Sequence, residues 1–580
     1  MSLAEATATE LVVNTSNPAA ADTNVGTLEE PLKTISAAAA KAQPGDKVLI
    51  YGGEYRETVI VNSSGTEGDP IIFEAAPGEK PVIKGSDVIT GWRHDRGSIW
   101  KSKLSFRSRA KVGSDPSFWN TRDVTQVFVR DGALLDAEQL KPVVSKNALK
   151  AGTFFCDRQK ATLYVWLADS AAPKRHKLEA SVRGAWLYIY GSHLVVRGLQ
   201  MRHASTTFIA KWPGCSLLGD DITLDRCCIS WGDFVGVSLS GHGNRLLHSV
   251  IACHGDCGIG GAGPGHLIEN CRVVYNNVRR YHIDWHAGGA KFGPHFDHSI
   301  LRHNEFAHNL GPGIWFDIEC QKNVVDGNLA HDNYGPGIMI EISSGNVVCN
   351  NVSFKNRNPL SGTYLNADSK EMKIDYGSKK GAKSKSADAY YIGEGRGIYI
   401  SSSPETKVLG NTVYANEGEG ICVEGPPRVV DGHTLSTRDS AVLNNITAFN
   451  RGAQLTLRAV ETADKLSHLQ SDYNLVFCVG SVLTRQGWAG AAAWSLPQWK
   501  TISGQDSHSI EADPLFAMPA IEDYRLRKES PGLAAARTLS DLDHDFFGHA
   551  HNQQHSTIGA CELPAGDQPQ PLISIDVDLP

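Results

Sequence analysis

The chain lacks any apolar run of about 18 residues, the length a membrane-spanning helix needs, and so no membrane partner is expected. It lacks an excess of charge: 56 Lys and Arg against 63 Asp and Glu leave −7, which makes nucleic acid an unsuitable partner. Its 57 glycines have no period of three, which excludes collagen. It also lacks a cysteine framework. Twelve cysteines are scattered; Cys227 and Cys228 are adjacent, and Cys253 and Cys257 form a C-x3-C without a second pair. They read as small apolar fillers rather than zinc ligands, and lean towards a reducing compartment. No basic and apolar leader follows Met1, so the expectation is a cytoplasmic protein, or a secreted or periplasmic one whose leader was removed. What is present is 580 residues, 41% apolar and 21% charged, too long for one ordinary core. Several domains or one elongated repeat are the choices.

The repeat is legible. Short β-forming runs open on Gly236, Gly258, Gly289, Gly313, Gly337, Gly397 and Gly420, at steps of 22, 31, 24, 24, 60 and 23. A basic step near 23 explains four of the six. The step of 31 adds about eight residues, and the step of 60 adds an excursion between Asn356 and Arg396. A second ladder keeps the register: Asn304, Asn328 and Asn351, and likewise Asn309, Asn333 and Asn356, stand 24 and 23 apart. Asn411 and Asn416 recur as Asn445 and Asn450, both shifted by 34. Asn tolerates tight turns and can bond the coil stacked above it. Short β-branched runs without long helices exclude leucine-rich and helical repeats. The pattern predicts an all-β chain, a right-handed parallel β-helix.

The ends and one interruption complete this reading. Residues 31–43 are rich in helix formers and are stopped by Pro44, Gly45 and Asp46; a helix there would cover the open end of the solenoid. Between about 96 and 190 the coil period is lost, and runs such as Val127 to Asp131 and Ala161 to Trp166 suggest a small inserted antiparallel β domain. The expected organisation is a cap and first coils over 1–95, the inserted domain over 96–190, the main β-helix with a groove over 191–500 including a long loop at 357–395, and a capping tail over 501–580.

Side chains alternate along a strand. Apolar Ile314 and Phe316, like Ile338 and Ile340, should point inward, which sends Trp315, Asp317, Met339 and Glu341 outward, with Glu319 continuing the series. Asp317 and Glu341 each stand four residues after their glycine, so they share a position on neighbouring coils. Stacked strands lie roughly 4.7–4.9 Å apart. Retaining glycosidases hold two carboxyls about 5–5.5 Å apart and inverting ones about 6.5–9.5 Å. Like charges this close push one pKa upward, leaving an acid and an anion. The same two carboxylates would also suit a solvated surface or a Ca²⁺ ion. Trp315 and Trp285 are expected to be solvent-facing sugar platforms, and Lys291 and His286 to bond substrate hydroxyls. Glu424 shares the register two coils beyond Glu341 and would suit an inverting pair.

At these residues the chain resembles glycoside hydrolase family 120, β-xylosidases on a right-handed β-helix with an inserted β domain. The stretch from Gly313 to Gln321 (GIWFDIECQ) and that from Gly337 to Ser343 (GIMIEIS) carry the likeness. The opening from Gly26 to Glu57, Pro81 to Ser86, and Ala287 to Phe292 follow it more loosely. The resemblance implies Asp317 as nucleophile, Glu341 as acid/base and Lys291 as a groove lysine, in a retaining hydrolase of an oligo- or polysaccharide that needs no cofactor. His286, the segment 281–285 and the excursion 356–396 lie outside it. Two alternatives stand beside it. A polysaccharide lyase would use Lys291, His286 or Arg396 near a uronate, with Ca²⁺ on Asp317, Glu319 and Glu341. A glycan-binding solenoid would hold its ligand without turnover.

Overall fold

A computed structural model describes residues 9–104, 124, 126–130, 138–157, 159–206, 213–281, 283, 286–357, 395–425, 427–457, 468–478, 484–485, 493–552 and 554–562. The chain is a right-handed parallel β-helix. It divides into two compact units, residues 1–258 and 259–576.

The second unit repeats one coil of three short strands. Val324–Asp326, Leu329–His331 and Ile338–Glu341 make one coil, and each pairs in parallel with its equivalent on the next, Val347–Cys349, Val352–Phe354 and Ile398–Ser401. The inward positions are apolar. Val325 and Val348, Phe306 and Ala330, and Ile314, Phe316, Ile338, Ile340, Ile398 and Ile400 are fully buried in the coil interior. Each such aliphatic or aromatic side chain contributes about 1.5–3 kcal/mol by leaving water.

Both turns that flank the second strand use the same pair of residues. The first position has a left-handed backbone: Gly327, Asn350, Gly410 and Asn444 at one turn (φ +54 to +61 at the first three, +60 at Asn444), and Asp332, Lys355, Ala415 and Phe449 at the other. Gly and Asn meet that demand at least cost, which accounts for the first column. The next position is the ladder Asn. Asn304 Nδ2 donates to Asn328 Oδ1 at 2.9 Å, Asn328 to Asn351 at 3.0 Å, Asn351 to Asn411 at 3.0 Å and Asn411 to Asn445 at 3.0 Å. The other ladder runs from Asn309 through Asn333, Asn356 and Asn416 to Asn450. Each Oδ1 also accepts the backbone N–H of the Asn one coil earlier, as Asn328 does from Asn304 at 3.0 Å. The ladder therefore stays in register across the steps of 60 and 34 residues.

The first unit is built alike, with Glu10–Val13, Lys47–Ile50, Ile71–Ala75, Leu194–Arg197 and Ile222–Asp225 in one parallel sheet. The expected helix spans Ile35–Lys41; Thr34 Oγ1 accepts from the Ala37 N–H at 3.1 Å, and Ile35, Ala38 and Ala39 are buried. The small mixed sheet departs from the expected 96–190. It begins at Ser86–Val88, which pairs antiparallel with Glu179–Ser181, and the coil resumes at Leu187–Ile189. Its own core holds Val127, Leu140, Phe154, Leu163 and Val165.

The expected capping tail at 501–580 is described as far as 562, apart from 553. Phe516, Tyr524, Leu526, Phe546 and Ile558 pack on Leu329, Val352, Phe354, Ile446 and Leu475, the outward side of the second-strand sheet. Those outward positions are apolar, so the tail lies along the coils to keep them from water.

The ladder generates a prediction. Asn328→Ala removes the acceptor of two buried donors of Asn304, and unsatisfied buried groups cost about 1–3 kcal/mol each. Denaturant unfolding should show a loss of at least about 2 kcal/mol. A change within error of wild type would mean that the ladder does not hold the coils together.

Candidate active site

The third strands of the second unit form one parallel sheet: Gly288–Phe292, Ile314–Asp317, Ile338–Glu341, Ile398–Ser401 and Ile421–Glu424. With isoleucine and phenylalanine turned inward, two columns face the other way. One runs Lys291, Trp315, Met339, Tyr399, Cys422, and the other Asp317, Glu341, Ser401, Glu424.

Trp315 was expected in solvent, and this is corrected. Trp315 is 1% exposed and packs with Met339, Tyr399 and Cys422, all buried. Two cations cover the rings. Lys291 Nζ lies 3.4 Å from the Trp315 ring centroid, and the Arg396 guanidinium 4.3 Å from that of Tyr399. Trp315 therefore serves as a seat for a cation, an arrangement worth about 2 kcal/mol when desolvated.

Each seated cation reaches a carboxylate of the second column. Lys291 Nζ stands 2.8 Å from Asp317 Oδ2. Arg396 Nη2 is 3.5 Å from Glu424 Oε1, while its Nε donates to Glu419 Oε2 at 2.6 Å. Arg396, expected at substrate, is buried and engaged by protein acids. Glu424 is likewise held, two strands beyond Glu341.

Asp317 and Glu341 are direct register partners on adjacent strands. Asp317 is partly exposed; Glu341 is 8% exposed, and Arg428 Nη1 donates to its Oε1. Burial pushes the Glu341 carboxyl above its ordinary range and the neighbouring Asp317 charge adds to this; the Arg428 charge and hydrogen bond, then Lys291, oppose it. Burial and like charge win.

Arg428 was not anticipated. It opens a two-stranded hairpin, Arg428–Val430 with His433–Leu435, that leaves the coil after Glu424. Its signal was the 34-residue step between Asn411 and Asn445, where a coil needs only about 23. Glu319 does not continue the outward alternation: Ile318 and Glu319 both have left-handed backbones (φ +60 and +56), so the strand ends at Asp317. His286 is half-buried just before Gly288–Phe292. Trp285 and the loop expected at 357–395, apart from Arg357 and Gly395, lie outside the described residues. Among the described residues, one group of three metal-type donors converges within 4.8 Å; it is His308, His331 and Asp332, and not Asp317, Glu319 and Glu341.

Comparisons with known proteins agree on the architecture. Residues 214–378 match the family model described as a right handed beta helix region. The chain is 43% identical over 72 residues to the uncharacterized protein YwoF of Bacillus subtilis (strain 168), a match spanning 12% of this chain and 15% of that protein. XylC in complex with xylose superposes at a TM-score of 0.62 with 16% identity, covering 96% of this chain and 99% of that one. Pectate lyase Pel9A gives 0.42 and 13%, covering 96% and 97%. The likeness to XylC, at this level of identity, shows the fold alone.

The opposing influences on Glu341 can be separated. Arg428→Ala leaves burial and Asp317 unopposed by the guanidinium, so Glu341 should hold its proton to higher pH than in wild type. Infrared difference spectra of the protonated carboxyl band against pH, with Glu341→Gln to assign it, read this directly. Identical titrations would show that Arg428 does not act on Glu341.

Proposed function

We propose that the chain is a retaining glycoside hydrolase, with Asp317 as nucleophile and Glu341 as acid/base. The register pairing of these two residues carries the reading. Strands stacked at roughly 4.7–4.9 Å bring equivalent carboxyls to about 5 Å, the separation of a double displacement rather than of an inverting pair with water between.

The chemistry follows from the two environments. Glu341, whose carboxyl is pushed upward, gives its proton to the glycosidic oxygen. Arg428 engages Oε1, which leaves Oε2 to carry that proton. Asp317, oriented by Lys291, attacks the anomeric carbon as the C–O bond breaks, forming a glycosyl ester. Glu341, now ionised, takes a proton from water, which attacks the same carbon and releases Asp317. Two inversions give net retention.

The substrate class is a plant or microbial oligo- or polysaccharide. XylC is described as binding xylose, so exo-action on xylo-oligosaccharides is the first activity to assay.

The test is turnover of an oligosaccharide panel with proton NMR of the first-formed anomer. Retention is expected, and Glu341→Gln should lower kcat by about 10²–10⁴-fold. Asp317→Ala should abolish turnover. Full activity in both variants, an unsaturated ultraviolet-absorbing product of a lyase, or binding to glycans without any product would each overturn the proposal.

A further inference from the structure

A second chemistry-bearing group lies on the other side of the coil, on the sheet of Glu305–Ala307, Leu329–His331 and Val352–Phe354. His308, His331 and Asp332 each bring one ligand-type atom to within 4.8 Å of the others. The placement is a consequence of the coil. His308 and Asp332 stand one 24-residue step apart, both at the left-handed turn position (φ +56 and +52), and the His308 N–H donates to the His331 carbonyl at 3.2 Å. Their side chains are therefore stacked neighbours on rigid backbone.

Each donor is also held from behind. The His308 ring stacks on Tyr275, centroids 5.0 Å apart and 9° from parallel, and the His331 ring on Phe354 at 4.6 Å and 8°. His331 turns Nδ1 towards Asp332 Oδ2 at 3.1 Å, and its buried Nε2, without a hydrogen-bond partner, faces Glu305 Oε1 at 3.5 Å. Glu305 is fixed in turn by Arg272. Arg357 Nη2 donates to Asp332 Oδ1 at 2.7 Å, which leaves Oδ2 directed at the two rings. A carboxylate behind a histidine and a cation behind an aspartate are the outer contacts that orient metal ligands. His308 is only half-buried, which gives a way in.

We propose that His308, His331 and Asp332 bind a divalent transition-metal ion. Two imidazoles and one carboxylate suit zinc, cobalt, nickel or copper, whereas calcium and magnesium select all-oxygen sets. Bond lengths of about 2.0–2.2 Å ask the donors to close by about 1 Å, which rotation of the half-buried His308 ring can supply. Such an ion would tie one coil to the next at the turn and would stabilise the folded chain by mass action. The site does not depend on the roles assigned to Asp317 and Glu341.

The test uses the full chain, stripped with chelator and titrated with Co²⁺. One Co²⁺ per chain, visible ligand-field bands and a Zn²⁺-dependent rise in melting temperature are expected. His308→Ala should lose the bands and the rise while the metal-free protein keeps its circular dichroism. Glu305→Gln should weaken binding about 10–100-fold, and Asp317→Asn should leave it unchanged. Uptake that survives His308→Ala would belong to others of the 22 histidines and overturn the proposal. So would no uptake at all, the outcome if His331 is instead a protonated ion-pair partner of Glu305 and Asp332.

Discussion

The amide of one asparagine bonded to the amide of the next, coil after coil, is the constraint on which the second unit depends. Each ladder Asn accepts a backbone N–H and a side-chain N–H from the previous coil and donates to a carbonyl there, as Asn328 does to Leu301 at 2.8 Å. These groups are fully buried, so a slip of one residue would strand three of them without water. Hydrophobic alternation alone specifies which side of a strand faces inward. The ladder adds the vertical register. Once that register is locked, any two residues one step apart are neighbours, and chemistry can be written into the chain as a repeat distance.

That is why the centre was legible where it was. The solenoid, the two Asn columns and the pairing of Asp317 with Glu341 all follow from counting from one glycine to the next. Tyr399 was legible by the same count, since it holds the register of Trp315 and Met339, although its role as a seat for Arg396 needed the structure. What counting cannot supply is what lies over a column. Alternation turned Trp315 away from the core, and solvent was the simplest reading of the far side. Lys291 and the packing with Met339, Tyr399 and Cys422 bury it instead. The face on which the tail packs was hidden for the same reason: outward Leu329, Val352 and Phe354 are apolar, a sign that something covers them, which period-two reasoning does not ask. The inserted sheet was placed ten residues late because Ser86–Val88 reads as one more coil strand until its antiparallel partner is known.

The charges around the two acids divide their environments. Asp317 is partly open and meets a lysine fixed by a tryptophan ring. Glu341 is more deeply covered, next to the Asp317 charge, and meets an arginine whose side chain is 40% exposed. An ion pair with one exposed partner is weak, which is consistent with burial and like charge prevailing over Arg428 at Glu341. The asymmetry that the proposed acid and nucleophile would require thus comes from unequal cover over two equivalent positions of a repeat, and not from any difference in backbone.

Two of the cations along this column come from excursions. Arg428 stands on the hairpin that swells one step to 34 residues, and Arg396 directly precedes the strand that resumes after the step of 60. Because the ladder bonds skip across these excursions, Asn356 to Asn416 and Asn411 to Asn445 at ordinary hydrogen-bond lengths, their sequence is free of the demands of the coil. The acids are bound to the repeat; of the two cations beside them, Lys291 stands on a coil strand and Arg428 on a segment able to vary. Under the proposed function, a change of working pH should therefore be sought first at Arg428, which can change without breaking register.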